Sequence, residues 1–264
     1  ALLGGHCHQS SVPIAEYVLA AALEWIVQLR AMDERLRACT WRTSPPGNDC
    51  QATHARFEHR QLSNSTIGIL GYGHIGEAIA QRAAAFGARL IATTLDPPAT
   101  PPAPLAWIGD DDANPRLFSE SDFVVVCTPL LNSTRGLVGA SLLASLSPTA
   151  VLINIARGPV VDERALYGAL RARRMGGAVL DVWWNRAYSA GRLPDGGVGP
   201  SAWPSQYRFD ELPNVIMSAH TSGLTPEAFL ESAREAAANL DNLALGRPLQ
   251  NIIRKGVPGG AVEA

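Results

Sequence analysis

The feature that most constrains the fold is the stretch from Thr66 to Gly76, TIGILGYGHIG, in which an apolar run ends in three glycines. The run is typical of a buried strand, and the following EAIAQRAAAFGARL carries apolar residues at helical spacing. Gly71 would permit a tight strand-to-helix turn, Gly73 would let a pyrophosphate approach the backbone, and Gly76 would let helix and strand pack closely. The pattern therefore predicts a dinucleotide at the helix N-terminus, with a glycine turn in an ordinary α/β core as the alternative.

Strand-like and helix-like segments alternate along the rest of the chain. A long first helix is predicted from Ser10 or Ser11 to Trp41, followed by an extended connection over 42–62 and, much later, a surface loop over 185–209. This alternation predicts an α/β fold with a doubly wound parallel sheet of Rossmann type. The other predicted elements are strands at 66–72, 89–94, 122–128, 150–156, 177–182 and 215–219, and helices at 75–86, 162–173 and 225–245.

Composition and charge narrow the classes of partner. The formal net charge is −2 and the basic residues are dispersed, which predicts no nucleic-acid or membrane partner. No apolar stretch is long enough to span a bilayer. The chain begins with Ala1 and shows no signal-peptide pattern.

The cysteines predict a reducing compartment. They are widely spaced and form neither a CxxC pair nor a disulfide framework, which favours a cytoplasmic location, with an organelle left open. His6 and His8 flank one cysteine, but this HCH stretch lacks the further ligands of a structural metal site, so no metal is predicted. The four cysteines are Cys7, Cys39, Cys50 and Cys127.

Two further segments place a polar residue just past a buried strand: VLINIARGPVVDERAL at 151–166 and NVIMSAHTSGLTPEA at 214–228. Ligands of open α/β sheets bind at the carboxyl ends of the strands, so Arg157 and His220 are expected to share one crevice with the dinucleotide. Arginine offers a planar fork for a carboxylate, and histidine moves a proton near neutral pH. Together they favour hydride transfer to a 2-keto acid. Singly, each has the alternative of a structural role.

Six ordered segments resemble the NAD-binding domain of the D-isomer-specific 2-hydroxyacid dehydrogenases, over most of the chain. The resemblance implies an oxidoreductase that acts on CH–OH donors, transferring hydride between a nicotinamide cofactor and a small 2-keto or 2-hydroxy acid. NAD is favoured as the cofactor, with NADP left open. The segments are VPIAEYVLAAAL, TIGILGYGHIGEAIA, DFVVVCTPLLNSTRGLV, LINIARGPVVDERAL, GGAVLDVWW and LPNVIMSAHTSGLTPEA.

The resemblance also implies roles for individual residues. Arg157 would grip the substrate carboxylate and help polarise its carbonyl, and His220 would be the acid and base. Asp181 would hold the nicotinamide amide, with a cap or turn role at a strand end as the alternative. The backbone at His74 and Ile75 would meet the pyrophosphate. The remaining cofactor positions implied are Gly71, Tyr72, Gly73, Gly76, Thr94, Thr128, Pro129, Thr134, Ile155, Ala156 and Gly223.

Two side chains depart from the family pattern. Arg186 stands where a glutamate usually pairs with the histidine, and a cation there would depress the pKa of His220. Asp210 or Glu211 would supply a carboxylate only if their loop folded inward. Thr94 stands where an acid usually binds the adenosine ribose, with Asp96 two residues later.

The third departure concerns domain organisation. The chain begins almost at the family's hinge, so the substrate domain that normally precedes it is expected to be largely absent, in a fragment or a naturally truncated protein. We expect a single NAD(P)-binding domain over 1–264, with a core at 12–225. The helix and tail at 226–264 would expose an apolar face, and residues 12–62 would form a homodimer contact. The alternative function is a catalytically impaired NAD(P)-binding module with a sensing or interaction role.

Overall fold

The computed structural model describes residues 9–40, 59–185 and 203–250, together with the backbone of a few short strands outside these ranges. Its centre is a seven-stranded sheet in which all neighbouring strands are parallel. The strands are β1 (Thr66–Leu70), β2 (Arg89–Thr93), β3 (Trp107–Gly109), β4 (Phe123–Val126), β5 (Val151–Asn154), β6 (Gly177–Leu180) and β7 (Val215–Met217). The predicted doubly wound α/β fold is confirmed.

The strand order is β3-β2-β1-β4-β5-β6-β7, so the chain builds outward from β1 in one direction and then from β4 in the other. The central strands are mostly apolar because both faces of the sheet are covered, and β4 and β5 are buried at every residue. The reversal between β1 and β4 is the topological switch point, at whose carboxyl edge ligands of this fold bind.

Helices cover the two faces of the sheet. On one face the first helix packs against the helix that follows the glycines, around Ile14, Val18 and Ile79. On the other face lies a second apolar cluster that contains Leu117, Phe118 and Leu166. The helices are α1 (Ser11–Val27), α2 (Leu29–Arg37), α3 (His74–Ala84), α4 (Asn114–Glu120), α5 (Ala140–Ser145), α6 (Glu163–Arg171) and α7 (Pro226–Ala244).

The prediction of one continuous helix to Trp41 is wrong. Gln28 adopts a left-handed conformation, with φ 55° and ψ 43°, and α1 and α2 meet there at a bend of 48°. The sequence LRAMDERLR of α2 is mostly charged, and none of its residues is buried. The helical spacing of the sequence continues past Gln28, but the apolar face that packs α1 on the sheet ends there.

The described residues bear on the predictions about membrane spans, disulfides and metal ligands. No single helix in this part of the chain has the length and apolar character to cross a membrane; only the bent pair α1–α2 passes when taken together, and Ile14, Val18 and Ala22 of α1 are buried in the core. Cys39 is disulfide-bonded, a bond that the wide spacing of the cysteines does not predict. No cluster of potential metal ligands occurs among the residues described, and His6, Cys7 and His8 lie outside them.

Candidate active site

A cleft of about 590 Å³ opens at the switch point, where four loops and the start of α1 meet. Most residues singled out from the sequence line it, including Arg157 and His220 on the same cavity. The structure therefore brings together the glycine turn, the arginine and the histidine. The other lining residues are Ser10, Ile14, Gly71, Gly73, His74, Ile75, Gly76, Cys127, Thr128, Pro129, Leu130, Ile155, Ala156, Ser222, Gly223 and Leu224.

The glycine turn after β1 has the geometry that the sequence predicts. Gly71 has φ 98°, and a Cβ there would lie 2.9 Å from the backbone nitrogen of Thr128. A Cβ on Gly76 would lie 2.9 Å from the carbonyl oxygen of Gly71, because α3 packs directly against the turn. Both positions therefore require glycine for reasons internal to the protein.

Gly73 differs from the other two glycines. A Cβ built on it meets no protein atom within 4 Å, so the fold itself does not require glycine there. Gly73 precedes α3 and lines the cleft. The first N–H groups of a helix have no acceptor within it, and its dipole favours an anion. Open space at the cleft side of a glycine, facing a helix N-terminus, fits the pyrophosphate of a dinucleotide.

The end of β2 holds the glycine turn in place. The carbonyl oxygen of Thr93 accepts the backbone N–H groups of both Gly71 and Tyr72 at 3.0 Å. The next residue, Thr94, is half-buried, and its N–H donates to the carbonyl of Gly109 in β3. Neither Tyr72 nor Thr94 lines the cleft.

The loop after β4 forms one wall. The Thr128 hydroxyl donates to the carbonyl of Leu70 at 3.1 Å, tying this loop to the glycine turn. The Thr134 hydroxyl donates to the carbonyl of Pro129 at 2.6 Å and accepts the N–H of Leu131 at 2.7 Å. Thr134 is buried and does not line the cleft, so in this structure it shapes the loop.

Arg157 follows β5 on a loop held by a buried asparagine. The Asn154 side chain donates to the carbonyl of Arg157 at 3.2 Å and accepts the N–H of Ala156 at 3.1 Å. The exposed guanidinium of Arg157 donates to the carbonyl of Ala156 at 2.6 Å, leaving further N–H groups at the cleft. A Cβ on Gly158 would lie 2.3 Å from the backbone of Trp183, which fixes this loop against the next one.

His220 lines the same cleft, on the loop after β7. Its ring is exposed at the cleft and its φ is 58°, a left-handed conformation for a residue with a Cβ. Within the described ranges the structure records no hydrogen bond or ion pair of the ring. Arg186 lies outside the described residues.

Asp181 is the buried centre of this side of the site. Its carboxylate accepts the Ser218 hydroxyl at 2.5 Å and the backbone N–H groups of Thr221 and Ser222 at 2.9 and 3.0 Å. Burial opposes ionisation, but the hydrogen bonds from Ser218, Ser222 and Thr221 outweigh it and hold the pKa of Asp181 below its ordinary value. Asp181 is fully buried and does not line the cleft. Its carboxylate organises the loop that carries His220.

The condition under which Asp210 or Glu211 would supply a carboxylate to His220 is not met, because both side chains pair with Arg208. Arg208 donates to both oxygens of Asp210, at 2.8 and 2.6 Å, and also pairs with Glu211 at 3.5 Å. These groups are all exposed. The acids of this loop therefore form ion pairs with the neighbouring Arg208.

Several cleft residues carry no signal that the sequence could reveal. Ser10, just before α1, and Ile14 of α1 line the cleft, although they lie more than two hundred residues before His220 in the chain. Cys127 follows β4, and burial raises the pKa of its thiol to about 12, so it lines the cleft as a neutral group. Tyr17 and Ser218 do not line the cleft, and only the hydrogen bond between their hydroxyl groups shows that they contact the site.

The sheet order, the glycine turn and the shared cleft define a Rossmann-type dinucleotide-binding domain. The family model of the D-isomer specific 2-hydroxyacid dehydrogenase, NAD binding domain, matches residues 19–222, and the chain belongs to this family. The resemblance seen in the sequence is thereby confirmed.

Individual relatives agree with this assignment. The glyoxylate reductase of Thermococcus litoralis is 33% identical over 198 residues, which are 74% of this chain and 54% of that protein. The chain spans between 33% and 55% of the length of the curated relatives it matches.

Solved structures of the same family share the fold. The D-isomer specific 2-hydroxyacid dehydrogenase from Xanthobacter autotrophicus Py2, in complex with NADPH and MES, has a TM-score of 0.71 and 26% identity. That match covers 95% of this chain and 90% of the other. The NAD complexed form of the enzyme from Lactobacillus delbrueckii ssp. bulgaricus has a TM-score of 0.72 and 25% identity, over 92% of this chain and 70% of the other. None of these similarities supports the alternative of an impaired sensing module.

Proposed function

We propose that this chain is the cofactor-binding part of an NAD(P)-dependent oxidoreductase that interconverts a small 2-keto acid and its 2-hydroxy acid. The observation that carries the proposal is the single cleft lined by Gly73, Arg157 and His220. The reaction requires open space for the cofactor phosphates, a cation for the substrate carboxylate and a proton donor, and residues suited to all three line this cleft.

The chemical roles follow from the side chains. The Arg157 guanidinium is exposed at the cleft, where it would pair with the substrate carboxylate and turn the carbonyl toward His220. The nicotinamide, when bound, supplies the hydride to the carbonyl carbon. His220 donates a proton to the carbonyl oxygen in reduction and takes it back in oxidation, so that charge does not accumulate on that oxygen.

The cofactor would be held mainly by backbone groups. We assign its pyrophosphate to the turn at Gly71, Gly73, His74 and Ile75, and the nicotinamide end to the loops after β4, β5 and β7. The residues on those loops that line the cleft are Thr128, Pro129, Ile155, Ala156 and Gly223. Thr134, Tyr72 and Asp181 would act by shaping these loops.

NAD is the cofactor we favour over NADP. The exposed Asp96 carboxylate follows β2 closely, where it would repel the 2′-phosphate of NADP. The next arginine along the chain is Arg116, whose guanidinium is engaged by Glu120 at 2.7 Å. Asp96→Arg is therefore expected to improve NADPH binding relative to NADH.

The domain organisation that we propose is based on the exposed apolar side chains of α7. Phe229, Leu240 and Leu243 are 78%, 66% and 65% exposed. This apolar surface, which the sequence predicts, supports a core at 12–225 and a terminal segment at 226–264 that packs on a substrate domain.

The exposed Leu29 and Leu36 of α2 support self-association through residues 12–62.

The test is a cofactor titration followed by a panel of 2-keto acids. Purified protein should bind NADH and oxidise it with glyoxylate, hydroxypyruvate or pyruvate. Arg157→Lys should raise the KM for the keto acid, since a lysine cannot form the two-pronged contact. Arg171→Lys, on the exposed face of α6, is the matched control. Binding of neither NADH nor NADPH would refute the proposal.

A further inference from the structure

Tyr17 of α1 contacts the loop that carries His220 from behind. Its hydroxyl lies 2.6 Å from the Ser218 hydroxyl, although the two residues are 201 positions apart in the chain. Both side chains are half-buried. Neither residue lines the cleft, so this contact is separate from the groups that would touch cofactor or substrate.

The direction of this hydrogen bond follows from proton counting. The Ser218 hydroxyl has one proton, and it donates that proton to the Asp181 carboxylate, which is ionised and can only accept. Ser218 must therefore accept from Tyr17. Burial raises the pKa of Tyr17, partly offset by its bond to Ser218, so the phenol keeps its proton. The chain of donors runs from Tyr17 through Ser218 to Asp181, and each bond polarises the next.

This chain of bonds contacts the loop on both sides of His220. Asp181 accepts the N–H groups of Thr221 and Ser222, which follow the histidine, and Ser218 precedes it by two residues. The carbonyl of Ser218 also accepts the indole N–H of Trp183 at 2.8 Å. A non-glycine residue at φ 58° is strained and persists only where neighbouring contacts impose this conformation.

Helix α1 touches the same loop at a second point. A Cβ on Gly223 would lie 3.2 Å from the Cβ of Ser10 and 3.3 Å from the Ile14 side chain. The loop is thus held against α1 by packing at Gly223 and by the hydroxyl contact at Ser218. Since α1 also packs on α3, the helix that begins at the cofactor turn, one element sets the distance between both parts of the site.

We propose that Tyr17 and Ser218 are positioning residues that fix the ring of His220 relative to the bound cofactor. They act through Asp181 and the backbone of 218–222. This inference rests on the proposed function. Removing the Tyr17 hydroxyl should therefore reduce turnover while leaving cofactor binding in place, because the pyrophosphate turn does not depend on it.

The experiment compares Tyr17→Phe, Ser218→Ala and Ser218→Thr with the parent chain, measuring kcat, KM for the keto acid and Kd for NADH. We expect kcat to fall roughly three- to tenfold in Tyr17→Phe and Ser218→Ala, the size set by one hydrogen bond, with Kd for NADH within about twofold. Ser218→Thr keeps a hydroxyl and should restore kcat. Tyr167→Phe, whose ring stacks on Tyr207 away from the cleft, is the matched control and should change nothing.

Three results would overturn the inference: unchanged kcat in Tyr17→Phe, an equal loss in Tyr167→Phe, or a weakening of NADH binding that accounts for the whole effect. If the parent chain shows no turnover, the proposed function fails and amide hydrogen exchange decides the inference separately. Exchange at Thr221 and Ser222 should then be at least about threefold faster in Tyr17→Phe than in Tyr167→Phe. Equal exchange in the two variants would overturn it.

Discussion

The carboxylate of Asp181 accepts the backbone N–H of Thr221 at 2.9 Å, one residue after the proposed proton donor. Asp181→Asn keeps the size of the side chain but turns one acceptor into a donor that faces an N–H. We expect the free energy of unfolding to fall by about 1–3 kcal/mol, the cost of a buried unsatisfied group. Urea unfolding with the parent chain as reference measures this change, and an unchanged midpoint would contradict it.

The same substitution separates two roles for Asp181. If Asp181 acts by organising the histidine loop, Asp181→Asn should lower kcat more than it raises Kd for NADH. If it binds the nicotinamide amide directly, Kd should rise at least as much as kcat falls. Fluorescence titration of NADH beside steady-state kinetics distinguishes the two.

Acid should weaken the folded state through Asp181. Its folded pKa lies below its unfolded value, so its contribution to stability is present above the unfolded pKa of roughly 3.9 and is lost as pH falls through the folded pKa. Glu120, whose pKa the adjacent Arg116 lowers to about 2, acts in the same direction, with solvent screening. Unfolding midpoints measured below about pH 4 should fall less steeply in Asp181→Asn than in the parent chain. Parallel pH profiles would contradict this assignment.

The three glycines should respond differently to alanine. Gly73→Ala meets no protein atom, so its thermal midpoint should match the parent chain, while NADH binding weakens by roughly tenfold or more because the Cβ enters the pyrophosphate space. Gly71→Ala should lose both stability and binding, since φ 98° and Thr128 exclude a side chain. Gly139→Ala, with φ −91° and 3.5 Å to the nearest atom, is the control. Unweakened NADH binding by Gly73→Ala would place the pyrophosphate elsewhere.

Self-association should depend on the exposed side chains of α2. Leu29 and Leu36 are 66% and 52% exposed, and α2 buries none of its residues in the described chain. The double variant Leu29→Glu and Leu36→Glu should shift the mass measured by light scattering toward one chain, because a charged group is costly at an apolar contact. Leu245→Glu changes an exposed leucine at the end of α7 and is the control; it should leave the measured mass unchanged. A parent chain that is already a monomer at micromolar concentration would contradict the dimer.

Local sequence patterns predict the central sheet and most of the cleft. A strand buried on both faces leaves a continuous apolar run, and a glycine turn or a polar residue at its end is visible in a few neighbouring positions, as at Gly71, Arg157 and His220. Trp107–Gly109, Asn114–Glu120 and Ala140–Ser145 were not predicted because elements this short complete too few periods. The helix breaks at Gln28 because its apolar surface ends there. Helical spacing alone does not predict such a break.

The supports of the site could not be predicted in the same way. Tyr17, Ser218 and Asp181 are brought together by packing between α1 and the carboxyl edge of the sheet, and nothing in the local sequence of any one of them indicates the other two. Asp181 is predicted from the family pattern as a cofactor residue, and the structure adds the hydrogen bonds that its carboxylate accepts from the histidine loop. Sequence locates the groups that face the cleft; the contacts behind them require the structure.

The most direct test of the proposed reaction is NADH oxidation with glyoxylate by the parent chain and by His220→Asn, with Kd for NADH measured on the same samples. We predict that the parent chain oxidises bound NADH, and that His220→Asn binds NADH within about twofold of the parent but turns over roughly a hundredfold more slowly, the loss expected for a general acid. His59→Asn, on a histidine that does not line the cleft, should behave as the parent chain. Undiminished turnover by His220→Asn, or a parent chain that binds NADH and reduces no 2-keto acid, would contradict the account.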